Sequence, residues 1–303
     1  MEDILRAAVF AWLNEQVNKI GAVLPGDMLR NGFVFRNERI PLISQSGIWK
    51  PKQFKSTPIS ITSKKDGPYF DTHTENGYLI YKYCGPDPDY RDNRYLREAW
   101  RTGTPLVYFY SHRPSRYIPF WPVKIVADNP ETLSCTVDIQ AASRIFSPEI
   151  LSGASIVADA GQSLIMRKYA FAEVRHRIHQ VAFRDLVLTA YKESCALCKL
   201  RHAELLDAAH IIADSEAGGE PIVQNGLSLC KIHHAAFDKN IIGVTPDYEV
   251  KVREDILEEI DGPMLKYGLQ AMNGKTLILP KQKKDWPDKE RLEKRYCLFK
   301  LVV

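Results

Sequence analysis

The chain has 303 residues, of which 45% are hydrophobic and 26% are charged, and this balance excludes a disordered chain, a collagen and a coiled-coil rod. The length predicts two domains, each with its own core. The net charge of +4 is too small to identify a partner, and no apolar run approaches the roughly 18 residues of a membrane helix. The acidic first residues lack the layout of a signal peptide, so we expect a cytoplasmic protein with no membrane contact.

The first predicted element is an amphipathic helix over residues 1–20, where apolar residues recur at helical spacing. From about residue 25 to 145, short apolar or alternating runs are separated by Pro, Gly, Asp and Asn. This texture predicts a β-rich, barrel-like domain with one helix at 93–100. The predicted strands are 33–35, 59–61, 78–83, 105–110, 121–126 and 132–139.

A basic stretch lies within this domain, because the segment from Arg30 to Lys65 has eight Lys or Arg residues and one acid. Such a stretch is expected equally of a solvated face and of a surface that contacts phosphate. Lys50, Lys52 and Lys55 are the candidates for contacts to the DNA backbone, which position a protein without reading sequence.

Small and polar residues over 147–162 predict a linker, and a long amphipathic helix is predicted to follow at about 167–191. We therefore expect an N-terminal domain over 1–150, a linker and connecting helix over 151–192, and a C-terminal domain over 193–303.

Three of the six cysteines form a cluster with metal-ligand spacing. Cys195 and Cys198 make a CxxC pair, and Cys230 and His233 make a CxxH pair about thirty residues later. Two such pairs supply four ligands for a closed tetrahedral Zn²⁺ site. The alternative is a redox CxxC motif, which lacks the βαβ context expected of one. The spacing therefore predicts a structural zinc.

The region between and just after the two pairs contains three motifs of chemically active residues: Asp207-Ala-Ala-His210, Asn225-Gly-Leu-Ser-Leu-Cys230 and His233-His234-Ala-Ala-Phe-Asp238. In this order, over residues 193–245, the motifs resemble the HNH nucleases, the ββα-metal family. That family places a His on a first strand, an Asn in the turn and a His on the following helix, often pinned by zinc. The resemblance implies hydrolysis of phosphodiester bonds with a catalytic divalent ion.

The resemblance also implies residue roles. His210 would be the general base for water, and Asn225 would hold the turn and orient His210. His234 would bind the catalytic ion, Mg²⁺ or Mn²⁺, together with Asp238 on the same helix face. Family members often have a ligand directly before the base, where this chain has Ala, and Asp207 is the candidate replacement.

Two alternatives stay open for this module. His233 competes with its neighbour as a ligand of the catalytic ion, although its CxxH spacing favours zinc. The whole module is alternatively an inert zinc knuckle that only holds DNA.

A looser resemblance lies in the N-terminal domain and is carried by five segments in order: Gly67-Pro68-Tyr69-Phe70-Asp71, Tyr81-Lys82-Tyr83-Cys84-Gly85, Asn93-Arg94-Tyr95-Leu96, Gly103-Thr104-Pro105-Leu106-Val107 and Arg116-Tyr117. They resemble the SRA (SET and RING-associated) domain, a PUA-like barrel that flips a modified cytosine out of duplex DNA. The fold expected from both resemblances is α+β: an SRA-like β-barrel with flanking helices, a linker helix, and a ββα-metal HNH module with structural zinc.

Within this second resemblance, Tyr69 and Tyr83 would stack on the two faces of the flipped base. Asp71 would accept a hydrogen bond from the exocyclic amine of cytosine. Cys84 would line the space for a 5-methyl or 5-hydroxymethyl group. The alternative is that these tyrosines are ordinary strand aromatics in a barrel core.

Together these features predict a modification-dependent endonuclease that recognises 5-methylcytosine or 5-hydroxymethylcytosine in double-stranded DNA. The alternatives are a reader of modified DNA with an inert zinc module, and an HNH nuclease without modification selectivity. One HNH site cuts one strand, so a double-strand break requires a homodimer or two binding events.

Overall fold

The computed structural model describes residues 2–64, 72–73, 78–139 and 178–301. The chain divides into two compact units, Met1–Ile178 and His179–Val303. None of the helices in the described ranges combines the length and apolarity needed to cross a bilayer. The predicted linker and the first part of the predicted long helix fall outside the described residues.

The described part of the first unit contains the helices α1 Glu2–Ile20, α2 Gly26–Asn31 and α3 Arg91–Thr102. Its strands, in chain order, are β1 Leu24–Pro25, β2 Phe33–Phe35, β3 Glu38–Ile40, β4 Ile48–Trp49, β5 Ser60–Lys64, β6 Thr72–His73, β7 Leu79–Lys82, β8 Leu106–Arg113, β9 Arg116–Asn129 and β10 Ser134–Asp138. Each run predicted as a strand overlaps one of these strands, and the two predicted helices coincide with α1 and α3.

An eight-stranded sheet dominates this unit, with the order β4-β5-β8-β9-β10-β7-β6 and with β1 paired to β9. β5 and β8 run parallel, and register shifts in the β8–β9 and β9–β10 pairs mark bulges. Bulges bend strands and curl a sheet. The sheet is a curled half-barrel, because its outer strands β4 and β6 do not pair with each other within the described residues. The prediction of a barrel-like domain is therefore confirmed only as a half-barrel, and SRA membership stays a prediction.

The core of the first unit lies between α1 and the sheet. Leu5, Val9 and Leu13 recur every fourth residue on α1 and are buried. This spacing places them on one helix face, which packs with sheet residues in a single apolar cluster. Arg6 is also buried, and its guanidinium donates hydrogen bonds to the carbonyl oxygens of Pro58 and Pro105 at 3.2 and 2.7 Å.

The second unit contains α4 at 178–190, followed by β11 Leu206–His210, β12 Gly226–Cys230, α5 Lys231–Asp238, β13 Ile242–Val244, β14 Val250–Val252, α6 Glu254–Glu258 and α7 Lys289–Lys300. β11 and β12 form an antiparallel hairpin, and α5 begins directly after β12. This ββα order places the chemically active motifs on adjacent elements.

Helices from both ends of the unit complete its core. Phe183 and Val187 of α4 are buried in one cluster with Leu292 of α7 and the apolar residues of the hairpin. Phe299 of α7 packs on β13, where a Cβ on Gly243 would lie only 2.6 Å from its ring. The absence of a side chain at Gly243 therefore allows α7 to approach the sheet closely.

Candidate active site and metal cluster

His210 is the last residue of β11 and lies opposite Gly226 in the hairpin register. A Cβ on Gly226 would lie 2.4 Å from Val187 Cγ2 and 2.9 Å from Phe183 Cζ, so only glycine allows α4 this close. The Phe183 ring then stacks on the His210 imidazole, with 4.0 Å between ring centroids and 20° between planes. The glycine and the aromatic ring together fix the imidazole plane.

Asn225 ends the short helical turn before β12 and is fully buried. Its side-chain oxygen accepts from the Ile212 N–H at 2.9 Å, and its amide donates to the carbonyls of Ile212 and Glu220 at 3.0 and 3.2 Å. Both amide hydrogens are used in these bonds. Asn225 therefore holds the backbone just after His210. Any effect of Asn225 on the His210 imidazole is indirect, because it acts through the conformation of this loop.

His234 lies on α5 between two carboxylates. Its Nδ1 is 3.7 Å from Asp207 Oδ2, and its Nε2 is 3.4 Å from Asp238 Oδ2. The nearby Asp207 carboxylate raises the pKa of His234, burial opposes this, and Asp238 adds to the increase. The imidazole therefore has a carboxylate at each nitrogen.

Asp207 is the centre of an ion-pair group at the start of the hairpin. Lys231 donates to its Oδ2, and Arg184 Nε lies 3.4 Å from its Oδ1. Burial alone would raise the pKa of Asp207, but the neighbouring His234 and the hydrogen bond from Lys231 hold it well below its ordinary value. A carboxylate that accepts the N–H of a metal-binding His orients that ring. This arrangement suits Asp207 to a supporting position, and its role as a direct ligand stays a prediction.

A cleft of about 370 Å³ brings His210, His234 and Asp238 together. Asp214 and Glu216, in the loop after β11, and Arg295 on α7 also line it. The sequence motifs did not indicate these three residues. Asp214 and Glu216 follow His210 closely, which is a weak sequence indication of an acidic site. No sequence motif near Arg295 indicates a role for it.

The donors at this cleft fit a catalytic divalent ion. His234 offers an imidazole nitrogen and Asp238 a carboxylate oxygen, and the two atoms lie 3.4 Å apart. Mg²⁺ and Mn²⁺ accept oxygen ligands, and Mn²⁺ also accepts imidazole. The predicted pair of ligands is therefore adjacent in space as well as on one helix face.

The four predicted zinc ligands also come together, and their donor atoms all lie within 4.8 Å of one another. Cys198 Sγ is 3.9 Å from Cys230 Sγ, and His233 Nδ1 is 3.2 Å from Cys230 Sγ. Zinc–ligand bond lengths give tetrahedral edges of about 3.8 Å between two sulfurs and about 3.6 Å between sulfur and nitrogen. The Cys₃His cluster is therefore compatible with zinc.

The other nitrogen of His233 supports the same interpretation. Its Nε2 lies 2.7 Å from the carbonyl oxygen of Gly268 and donates to it, which leaves the Nδ1 lone pair for the cluster. Metal-binding histidines commonly donate their second N–H to a backbone carbonyl. His233 therefore belongs to the cysteine cluster and His234 to the cleft.

Comparison with known proteins identifies this part of the chain. A family model described as HNH endonuclease matches residues 195–245. This segment is an HNH endonuclease domain. Domains of this family are nucleases that hydrolyse phosphodiester bonds, and dependence on a divalent metal is general among them. The match includes the cysteine cluster, the hairpin and α5, whereas α4 and α7 lie outside it.

Two solved structures are similar to the chain over longer stretches. A modification-dependent TagI restriction endonuclease is 15% identical, with 94% of this chain and 90% of that chain covered and a TM-score of 0.30. The type IV phosphorothioation-dependent restriction endonuclease ScoMcrA is 15% identical, with 58% and 46% covered and a TM-score of 0.21. Identities and TM-scores this low assign neither a residue nor a substrate to the chain. No curated protein matches its sequence.

Outside the HNH domain, the predicted base pocket is described only in part, because Tyr69 and Asp71 lie outside the described residues. Tyr83 is only 1% exposed, and its hydroxyl donates to Asp128, which also accepts from Arg97 Nε at 3.1 Å. Burial, then the bond to Asp128, raises the pKa of Tyr83 strongly. Protein atoms cover the ring, so this conformation favours the core-aromatic alternative for Tyr83.

Cys84 is half-buried at the turn after β7. Its N–H donates to Asn93 Oδ1 at 2.8 Å, and the Asn93 amide donates back to its carbonyl at 3.1 Å. Asn93 is fully buried at the start of α3. It fixes the backbone of this turn, and the role of Cys84 in a base pocket stays a prediction.

The three lysines predicted to contact DNA differ in their surroundings. Lys50 donates to the carbonyl of Phe54 at 2.7 Å and is part-buried, so its charge is engaged within the protein. Lys52 is 78% exposed and lies 3.7 Å from Glu38, and Lys55 is exposed. The latter two lysines are accessible to a phosphate backbone.

Proposed function

We propose that this protein is a modification-dependent DNA endonuclease. Its HNH domain cleaves duplex DNA, and its N-terminal unit recognises 5-methylcytosine or 5-hydroxymethylcytosine by flipping the base. The observation that carries the nuclease assignment is the single cleft lined by His210, His234 and Asp238. The modification selectivity is supported by the ordered resemblance of segments within residues 67–117 to SRA domains.

His210 is the group that takes a proton from the attacking water, and Phe183 holds its ring in place. The water oxygen forms a bond to phosphorus while the bond from phosphorus to the 3′ oxygen breaks. Family chemistry then leaves 5′-phosphate and 3′-hydroxyl ends. A divalent ion held by His234 and Asp238 would stabilise the negative charge that develops on the phosphate and leaving oxygen. Asp207 fixes the orientation of His234 from the opposite nitrogen.

The zinc held by the Cys₃His cluster has a structural role in this proposal. Cys195 and Cys198 precede β11, Cys230 ends β12, and His233 lies on the first turn of α5. Zinc held by these four residues would tie the segment before β11 to the junction of β12 and α5, and would help to keep His210 and His234 at a fixed separation.

The test is a nicking assay on one plasmid in three forms: unmodified, 5-methylated and 5-hydroxymethylated at cytosine, each with Mg²⁺ or Mn²⁺. We expect cleavage of modified plasmid and a loss of at least about 10²-fold in rate in His210→Ala, the range of a general base. His202→Ala is the matched control, since the His202 side chain is 67% exposed and lies 3.4 Å from the exposed Glu204.

The alternatives give different results in the same assay. Equal cleavage of all three plasmids would keep the nuclease and remove the modification selectivity. Metal-independent binding to modified DNA without any cleavage would identify a reader with an inert HNH domain.

A further inference from the structure

Arg295 brings a positive charge into the cleft from outside the matched HNH segment. It lies on α7, about fifty residues beyond the end of that match. Leu292 and Phe299 flank it at three and four residues and are buried in the core. Residues three and four apart share one helix face, so Arg295 lies on the face that docks on the domain.

α7 is fixed in this position by several contacts. The side chain of Asp288 caps its first turn by accepting from the Arg291 N–H at 2.9 Å. Arg291 also pairs with Glu220 at 2.6 Å. A helix capped at its start and buried on one face places its side chains with little freedom.

The guanidinium itself is held by α5. Its Nη2 donates to the carbonyl of Phe237 at 2.6 Å, and its carbon lies 4.8 Å over the Phe237 ring. Within the described residues, the Arg295 side chain makes this one hydrogen bond. A guanidinium has four further N–H donors in a planar fork. The remaining donors are available to a ligand in the cleft.

The charges that line the cleft indicate the chemical class of this ligand. Asp214, Glu216 and Asp238 line it together with Arg295, so the fixed charges are three carboxylates against one guanidinium. A phosphodiester is an anion and needs a cationic donor in addition to any metal ion. A planar guanidinium binds two phosphate oxygens through two parallel N–H donors, a geometry that an ammonium lacks.

We propose that Arg295 binds the scissile phosphate and stabilises the charge that develops on it, so that α7 is part of the active site. This inference rests on the proposed nuclease function. In the reaction above, Arg295 moves no proton. It donates hydrogen bonds to the non-bridging oxygens while His210 takes the proton from water and the bond to the 3′ oxygen breaks.

The competing explanation is structural, because Arg295 also caps the end of α5 through Phe237. Arg295→Gln separates the two roles, since the shorter amide keeps an N–H donor and the charge is lost. Arg295→Ala removes both, and Arg295→Lys keeps the charge without the fork. Lys294→Ala is the matched control, because Lys294 is exposed on the same helix and carries the same charge.

The experiment measures kcat and KM on a short duplex that the wild-type enzyme cleaves, together with Tm for each variant. We expect kcat to fall about 10²–10³-fold in Arg295→Gln and Arg295→Ala, the range for loss of one transition-state donor. Arg295→Lys should lie between these and wild type, and Lys294→Ala should match wild type. Millimolar guanidinium should restore part of the rate in Arg295→Ala and none in His210→Ala.

Wild-type cleavage combined with an unchanged kcat in Arg295→Gln would overturn this proposal and leave the nuclease intact. A lower kcat that follows a lower Tm, without rescue by guanidinium, would also overturn it in favour of the capping role. Absence of cleavage by the wild-type enzyme with either metal would overturn the proposed function and this inference together.

Discussion

Gly226→Ala tests whether the close approach of α4 to the hairpin positions the general base. The new Cβ would lie 2.4 Å from Val187 Cγ2 and 2.9 Å from Phe183 Cζ. Carbon atoms in contact lie about 3.5–4.0 Å apart, so α4 must move by about 1 Å. Overpacking of this kind costs about 1–3 kcal/mol. Gly226 has φ −130°, which alanine adopts without strain, so the lower entropy of the unfolded chain offsets about 0.4–1 kcal/mol.

From the middle of each range, the net destabilisation is about 1.3 kcal/mol, which for a unit of this size lowers Tm by about 4–8 °C. Phe183 stacks on His210, so the same displacement moves the imidazole. A misplacement of about 1 Å can cost 10²-fold in rate. Calorimetry on the metal-loaded protein and the nicking assay measure the two effects separately.

Gly262→Ala is the matched control, because a Cβ at that position meets no atom within 4 Å. It should change the free energy of unfolding by less than about 0.5 kcal/mol. In the double variant Gly226→Ala with Val187→Ala, the clashing methyl of Val187 is gone. The destabilisation of the double variant should therefore be smaller than the sum of the two single-variant destabilisations. A Tm for Gly226→Ala equal to that of wild type would refute the packing argument, as would full additivity in the double variant.

Two further predictions concern the metals and protons of the HNH domain. Elemental analysis of the purified protein should find about one Zn²⁺ per chain. Cys195→Ser or a strong chelator should unfold the second unit. A metal-free second unit with an unchanged Tm would contradict the structural role of zinc. Asp207 is the main cause that raises the pKa of His234 above its ordinary 6.5. The stability that protonated His234 gives the metal-free protein is therefore complete below about pH 6.5. This stability is lost as pH rises through the raised pKa. Because only neutral imidazole binds a metal, the cleavage rate should fall as pH drops through the raised pKa of His234. Asp207→Asn should move this acid limb of the pH–rate profile to lower pH. A profile for Asp207→Asn identical to wild type would contradict the pairing of Asp207 with His234.

The sequence located the four donors of the Cys₃His cluster because the spacing within each pair is local. Cys195 and Cys198, like Cys230 and His233, lie three residues apart, and this spacing constrains the side chains whatever the rest of the chain does. The short alternating runs of the first unit also located its strands, since a two-residue period is a property of each strand alone.

What the sequence could not show depends on contacts between distant segments. No sequence motif pointed to Phe183, and only the fold places its ring on His210. The sequence favoured Tyr83 as a base-stacking residue with a core aromatic as the alternative, and Asp128, 45 residues away, holds it in the core. Closure of a barrel likewise depends on whether the two outermost strands meet, which no single strand encodes.

The placement of α4 and α7 has a consequence for protein engineering. The segment 195–245 carries the family motifs, but the ring that supports His210 and the buried face of α7 lie outside it. A cassette cut at the motif boundaries would expose Leu227, Phe237 and Ile242, which pack in one cluster with residues of those helices. A nicking module designed for fusion to another DNA-binding protein should therefore extend from 179 to 301.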